Sequence, residues 1–216
     1  MKSCGERKLQ YTIPLPARLV DFLKCKSAKS ILDVGCGCGR ACFFLLENGY
    51  SVVGVDVDKV HIESAITQAK KQCISEGAGF LVNDARYLCF PDSSFDAVTM
   101  LGVLTLVPKS ERPKIVNEAF RVLKQSGCIF VEEFGRTWDN PVYAKRYRED
   151  LKVTGETGTI TVKNETGKTL HFGHHFTPRE LLALFAQFRL LRFEEDLFTS
   201  YYHRNWVKGY VVLAEK

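Results

Sequence analysis

Glycine occupies every second position in Gly35-Cys36-Gly37-Cys38-Gly39, directly behind the apolar run Ile31-Leu32-Asp33-Val34, and few folds accommodate such a turn. Glycine reaches positive φ and lacks a Cβ, so backbone amides at the start of a following helix can approach a bound group closely. A strand running into such a turn is half of a βα unit, and the chain repeats that rhythm. Short apolar runs at 30–34, 51–55, 79–82, 95–101 and 128–133 alternate with helical periodicity at 40–48, 59–75 and 110–124. In the last helical stretch Ile115, Ala119, Val122 and Leu123 share one face, as a helix covering a sheet requires, and Gly127 is expected to end it. The pattern predicts an α/β domain around a mostly parallel sheet.

After the fifth strand the rhythm changes. Thr159-Ile160-Thr161-Val162 alternates in the manner of a strand, Asn164-Glu165-Thr166-Gly167 is turn-forming, and Leu170 to Phe172 returns, so the stretch reads as a β-hairpin insertion. Thr177-Pro178-Arg179-Glu180 then carries the signals of a helix start: a capping threonine, a proline in the first turn and a glutamate to complete a capping box. Two closing strands, at 189–194 and 206–213, have no crossover helix between them and are expected as an antiparallel hairpin at the sheet edge. The 216 residues suit one domain, 1–216, with 138–176 as a substrate-side insertion.

Hydrophobic residues at 45% and charged residues at 25% exclude disordered and collagen-like classes. The net charge of +5 is scattered, without the dense basic tract of a dedicated nucleic-acid module, so RNA stays open as a partner and is not required. No apolar stretch suits a leader or a membrane span, and the expected setting is cytoplasmic. The eight cysteines are then expected as reduced thiols. Cys36, Cys38 and Cys42 lack a paired C-x-x-C spacing, and no metal is expected.

The glycine turn becomes specific through Val52-Val53-Gly54-Val55-Asp56, a second strand ending in a carboxylate able to grip the two hydroxyls of a ribose. A dinucleotide fingerprint would need a small residue where Arg40 stands. Asp33 argues the same way: a carboxylate beside the turn repels a pyrophosphate and favours a ligand carrying an ammonium and a sulfonium.

These residues resemble the class I S-adenosylmethionine-dependent methyltransferases, and within them the type 11 group, over about residues 28 to 133. Residues 31–39 resemble the family's first motif, 53–58 its second-strand motif, and Asn83-Asp84-Ala85 its acidic turn after the third strand. Phe90-Pro91-Asp92-Ser93-Ser94-Phe95-Asp96 and Arg121-Val122-Leu123-Lys124-Gln125-Ser126-Gly127 are similar to two further family stretches. The resemblance implies a Rossmann-like, seven-stranded, mostly parallel sheet flanked by helices, with S-adenosylmethionine as cofactor. It also implies a cofactor site of Asp33, Gly35, Cys36, Gly37, Gly39, Asp56, Val57, Asp84, Ala85 and Leu101. Asp33 and the glycines would lie along the methionine part, Asp56 would bind the ribose, Val57 would pack on adenine, and Asp84 would accept from the adenine amino group. Leu104-Thr105-Leu106 stands where family members often carry a histidine, so no role of such a histidine transfers.

Direct methyl displacement needs alignment more than a base, and the acceptor side is correspondingly less legible. Leu101, Gly102 and Val103 are expected to border the methyl group, with the insertion and the arm near Tyr11 closing over it. His171, His174 and His175 are read first as structural or solvent-facing histidines, next as candidates for a general base and last as metal ligands, and Tyr11 is a further candidate for a catalytic role. Trp138, Tyr143, Tyr147 and Tyr201-Tyr202-His203-Arg204 suit a substrate pocket or a core. A small molecule methylated at O, N or S is the expected acceptor; an RNA nucleoside, or a non-catalytic partner protein that binds the cofactor, are the alternatives.

Overall fold

The computed structural model describes residues 17–74, 77–164, 166–200 and 205–216. Tyr11 and the run 201–204 lie outside the described residues. Five strands, β1 (Ser30–Val34), β2 (Ser51–Asp56), β3 (Ala78–Val82), β4 (Phe95–Leu101) and β5 (Leu123–Phe134), pair in parallel, and β9 (Asn205–Glu215) runs antiparallel between β5 and β8 (Arg189–Ser200). Among the described residues the order is β3-β2-β1-β4-β5-β9-β8, a Rossmann-like sheet whose direction of progression reverses at β1. The closing hairpin is the expected one, extended at both ends.

Parallel strands are covered on both faces, which is why their apolar runs are nearly continuous. One face carries Leu32, Val34, Val98, Met100, Ile129 and Val131 against α4 (Arg112–Val122) and α6 (Pro178–Leu184). The other carries Ile31, Val52, Ala97 and Phe130 under α1 (Ala17–Cys25), α2 (Arg40–Glu47) and α3 (Lys59–Lys71). The capping box at the start of α6 forms as its sequence predicts: Thr177 accepts from the Glu180 amide, and the Glu180 side chain accepts from the Thr177 amide.

Gly127 does not end α4. The helix stops at Val122, Leu123 is already extended, and Gly127 lies in β5 beside a register shift opposite Phe95 and Ala97. A Cβ on Gly127 would stand 2.8 Å from the Lys124 carbonyl and 3.1 Å from that of Asp96, so close backbone approach in a bulge explains the glycine.

The insertion holds more than a hairpin. Helix α5 (Pro141–Thr154) precedes β6 (Thr159–Lys163) and β7 (Thr169–His174), with Asn140 capping its start and Gly155 in the left-handed region at its end. Tyr143 and Tyr147, four apart, bury the inner face of α5 with Phe134, Ile160, Phe198 and Val207 in a third apolar cluster. Phe198 is 1% exposed, and its ring occupies the space above Gly209 of β9, where a Cβ would meet it at 2.2 Å. Gly209→Ala is therefore expected to destabilise the fold by about 1–3 kcal/mol through overpacking. Urea denaturation measures this, and an unchanged midpoint would mean that the ring moves aside freely.

Candidate functional site

At the end of β1 the amides of Gly35 and Cys36 both donate to the Val55 carbonyl, at 2.8 and 3.0 Å, which ties the glycine turn to β2. Gly35 has φ of 70°, and a Cβ there would strike Val103 Cγ2 at 2.6 Å, so the segment after β4 rests directly on the turn. Gly37 has φ of 54° and open space where a Cβ would stand. Its amide donates to Asp56 Oδ2 at 2.9 Å, while the Asp58 amide donates to Oδ1 at 2.8 Å. Each oxygen of Asp56 keeps a further acceptor position. Burial opposes the Asp56 charge, but His61 and these two amides outweigh it and hold the carboxyl below its usual range. Beside it Val57 is 72% exposed, an apolar side chain without cover.

Beneath the turn, Asp33 is 2% exposed and accepts from Thr99 Oγ1 at 2.7 Å and Cys42 Sγ at 3.2 Å; burial pushes it up to about 6. Cys36 is buried and, with Cys42, packs against Gly54. Glu132, near the end of β5, is fully buried and pushed by burial up to about 7. Arg18 of α1 reaches Glu132 at 2.9 Å, Asp196 at 2.8 Å and Glu194 at 3.3 Å, and among the described residues Glu132 Oε2 has no hydrogen-bond partner. Arg40, half-buried at the start of α2, acts electrostatically on both Asp33 and Glu132. Two buried acids, Asp33 and Glu132, and two guanidiniums, those of Arg18 and Arg40, thus meet at this edge.

The neighbouring Glu133 faces the opposite side of the sheet. It accepts from the amides of Leu104 and Thr105, at 2.7 and 3.0 Å, and from Thr105 Oγ1 at 2.8 Å, pinning the one-turn 3-10 helix Leu104–Leu106 that follows β4. Burial pushes Glu133 up to about 7. Neither Glu132 nor Glu133 was singled out from the sequence, although two acids closing the apolar run Cys128-Ile129-Phe130-Val131 are the signal that would have found them.

Asp33, Gly35, Cys36, Gly37, Gly39, Asp56 and Val57 thus gather around the ends of β1 and β2, with half-buried Leu101 at the end of the adjoining β4. Asp84 follows β3, where the Arg86 side chain grips it with contacts of 2.6 to 3.0 Å and holds it below the usual carboxylate range, and Ala85 packs on the core. The histidines go to different partners. His174, 1% exposed, has Nδ1 at 2.8 Å from Thr159 Oγ1 and is pushed by burial down to about 4. His175, 3% exposed, has Nδ1 at 2.7 Å from the Tyr147 hydroxyl and stacks on Phe134. His171 is half-buried on β7. Trp138 meets Tyr147 edge-on.

Cys25, Cys36, Cys42, Cys73, Cys89 and Cys128 are free thiols; Cys38 is disulfide-bonded, which corrects the expectation of reduced cysteines at that position. Among the described residues no group of three or more His, Cys, Asp or Glu side chains is placed to hold a metal ion, and no helix is long and apolar enough to cross a membrane.

Comparison with known proteins places this geometry among relatives. A family model described as a methyltransferase domain matches residues 31–127. The crystal structure of an S-adenosylmethionine-dependent methyltransferase from Methanosarcina mazei superposes with a TM-score of 0.88 at 34% identity, over 94% of this chain and 99% of that one. The 27-O-demethylrifamycin SV methyltransferase of Amycolatopsis mediterranei is 32% identical over 57% of this chain and 45% of its own length. A sterol 24-C-methyltransferase of Aspergillus fumigatus is 34% identical over 67% of this chain and 38% of its own. The chain therefore spans less than half the length of these two curated relatives.

The buried acids have a consequence for stability. Below the ordinary glutamate value of 4.5, Glu133 is protonated in both folded and unfolded chains and its contribution is fully present; as pH rises through about 7 the fold must bury a charge and that contribution is lost. Glu133→Gln cannot ionise. Between pH 5 and 8 the parent should therefore lose more stability than the variant in urea titrations, and parallel losses would show that Glu133 does not titrate in this window.

Proposed function

This chain belongs to the S-adenosylmethionine-dependent methyltransferases, and on that premise we propose that it transfers a methyl group to a small-molecule acceptor at O, N or S. The observation that carries the reading is the Asp56 carboxylate, fixed by two backbone amides beside the open space at Gly37, with acceptor positions to spare. The residues present fit the cofactor: paired oxygens for a ribose diol, an uncovered apolar side chain at Val57 for adenine, and the acid Asp33 beside the turn, with Arg40 near it, for the ammonium and carboxylate of the amino-acid end. When bound, S-adenosylmethionine supplies a methyl group already activated by its sulfonium.

The chain's own contribution is then alignment. Asp56 orients the ribose, Gly35, Cys36, Gly37 and Gly39 admit the methionine part, and Leu101, Gly102 and Val103 form the wall beside the methyl. Asp84 enters less directly, because Arg86 already engages both its oxygens, and its role toward the adenine amino group depends on that fork shifting. His174 and His175 are buried and committed to Thr159 and Tyr147, which supports a structural role for them in the insertion. A small acceptor is supported by relatives named for a rifamycin and a sterol, and by the insertion, which joins the sheet where Gly135 bridges Phe176 just beyond β5. We read the insertion as the cover of the acceptor side, the role in which such loops exclude water. A cytoplasmic setting also belongs to the proposal and rests on the six free thiols among the described residues, with the Cys38 disulfide weighing against it.

Asp56→Ala removes the ribose acceptor, and charge-assisted hydrogen bonds are worth about 1.5–3 kcal/mol, so affinity for S-adenosylhomocysteine should fall roughly tenfold or more. Calorimetry reads the affinity and circular dichroism the fold. An unchanged dissociation constant in a folded variant would move the ribose elsewhere and remove the main support for the reading.

A further inference from the structure

Arg112, at the start of α4, is only 4% exposed, and its guanidinium serves two separate segments. Nε donates to the carbonyls of Leu104 and Val107, at 3.3 and 3.0 Å, in the turn after β4. Nη1 and Nη2 donate to Glu156 Oε1 and Oε2, at 2.6 and 3.0 Å, in the insertion. The guanidinium carbon lies 5.1 Å from the centre of the Phe176 ring.

Glu156 is itself a junction. It stands between the end of α5 and the start of β6; its Oε2 accepts from Thr159 Oγ1 at 2.7 Å and lies 3.4 Å from His174 Nδ1. The turn that Arg112 holds from one side is held from the other by the three hydrogen bonds to Glu133. The residue just before that turn, Val103, rests on Gly35 of the glycine turn. A continuous chain of contacts therefore runs from the insertion through Glu156, Arg112 and the 3-10 turn to Val103 and the cofactor side.

We propose that Arg112 is a positioning residue that makes the insertion and the turn after β4 one mechanical unit, so that an acceptor held under the insertion sets the wall beside the transferred methyl. This rests on the reading of the chain as a methyltransferase whose insertion covers the acceptor. The chemistry of arginine suits the role: its rigid planar fork grips both oxygens of Glu156 while Nε points the other way to the turn, a fixed geometry that the compact ammonium of lysine does not reproduce. Arg112 and Glu156 are absent from the residues that hold the cofactor, so the link can be cut without touching the donor site.

The test uses the full chain with Arg112→Lys, Glu156→Gln and the double variant; Glu156→Gln is nearly isosteric and carries the test if Arg112→Lys does not fold. In hydrogen exchange, amides of residues 104–107 should exchange about tenfold faster in Glu156→Gln than in the parent, although the change lies in the insertion. With S-adenosylmethionine and a panel of small phenols, amines and thiols, the KM for an acceptor that the parent methylates should rise roughly tenfold, while the KM for S-adenosylmethionine stays within about threefold. The double variant should resemble the stronger single one, because both substitutions cut one link. Unchanged exchange at 104–107, or acceptor and donor KM rising together, overturns the proposal. If the parent neither binds S-adenosylhomocysteine nor methylates any acceptor, the functional reading fails instead, and the exchange comparison alone decides whether the mechanical link exists.

Discussion

Because β1 pairs in parallel with β2 on one side and β4 on the other, its C-terminal end is the place where chain connections leave toward opposite faces of the sheet and a crevice opens. Everything at the site is hung on that crevice. The glycine turn leaves β1 there, Asp56 reaches it from β2, and Val103 reaches it from β4. The hydrogen bond from the Gly37 amide to Asp56 closes the arrangement by joining the turn directly to the carboxylate at the end of β2.

The buried acids of this edge are not explained by stability. Asp33, Glu132 and Glu133 are each pushed upward by burial, so ionising any of them costs the fold stability in a way that an apolar side chain there would not. Their positions account for them. Asp33 and Glu132 face the α1 side, where the glycine turn and Arg40 meet, and Glu133 faces the side of the turn that follows β4. Perturbed carboxyl groups gathered at strand ends beside a crevice mark a candidate functional site.

Strands β1 and β4 were legible in the sequence to the residue, because their apolar runs are bounded by glycine, aspartate and serine. The start of β5 was not, since the bulge around Gly127 looks in sequence like a helix terminus. Helix α5 was hidden for another reason: its buried face is two tyrosines and an alanine, too few apolar residues to set a period, although Asn140, Pro141 and Gly155 mark its ends. Helix α1, with Leu19, Val20 and Leu23 buried, was passed over in the same way. Within the site, the glycine turn and Asp56 depend on local spacing and could be read. Arg18 with Glu132, 114 residues apart, and Arg112 with Glu156, 44 apart, depend on the tertiary fold, and spacing along one chain carries no trace of them. The three close histidines show the converse, since neighbours in sequence were sent to different partners.

The central claim is that the crevice selects an adenosine ligand with a cationic tail over one with a pyrophosphate, and calorimetry of the unmodified chain tests it most directly. S-adenosylhomocysteine should bind with a dissociation constant on the order of 1 μM, and a nicotinamide dinucleotide far more weakly or not at all. Tighter binding of the dinucleotide would contradict the account.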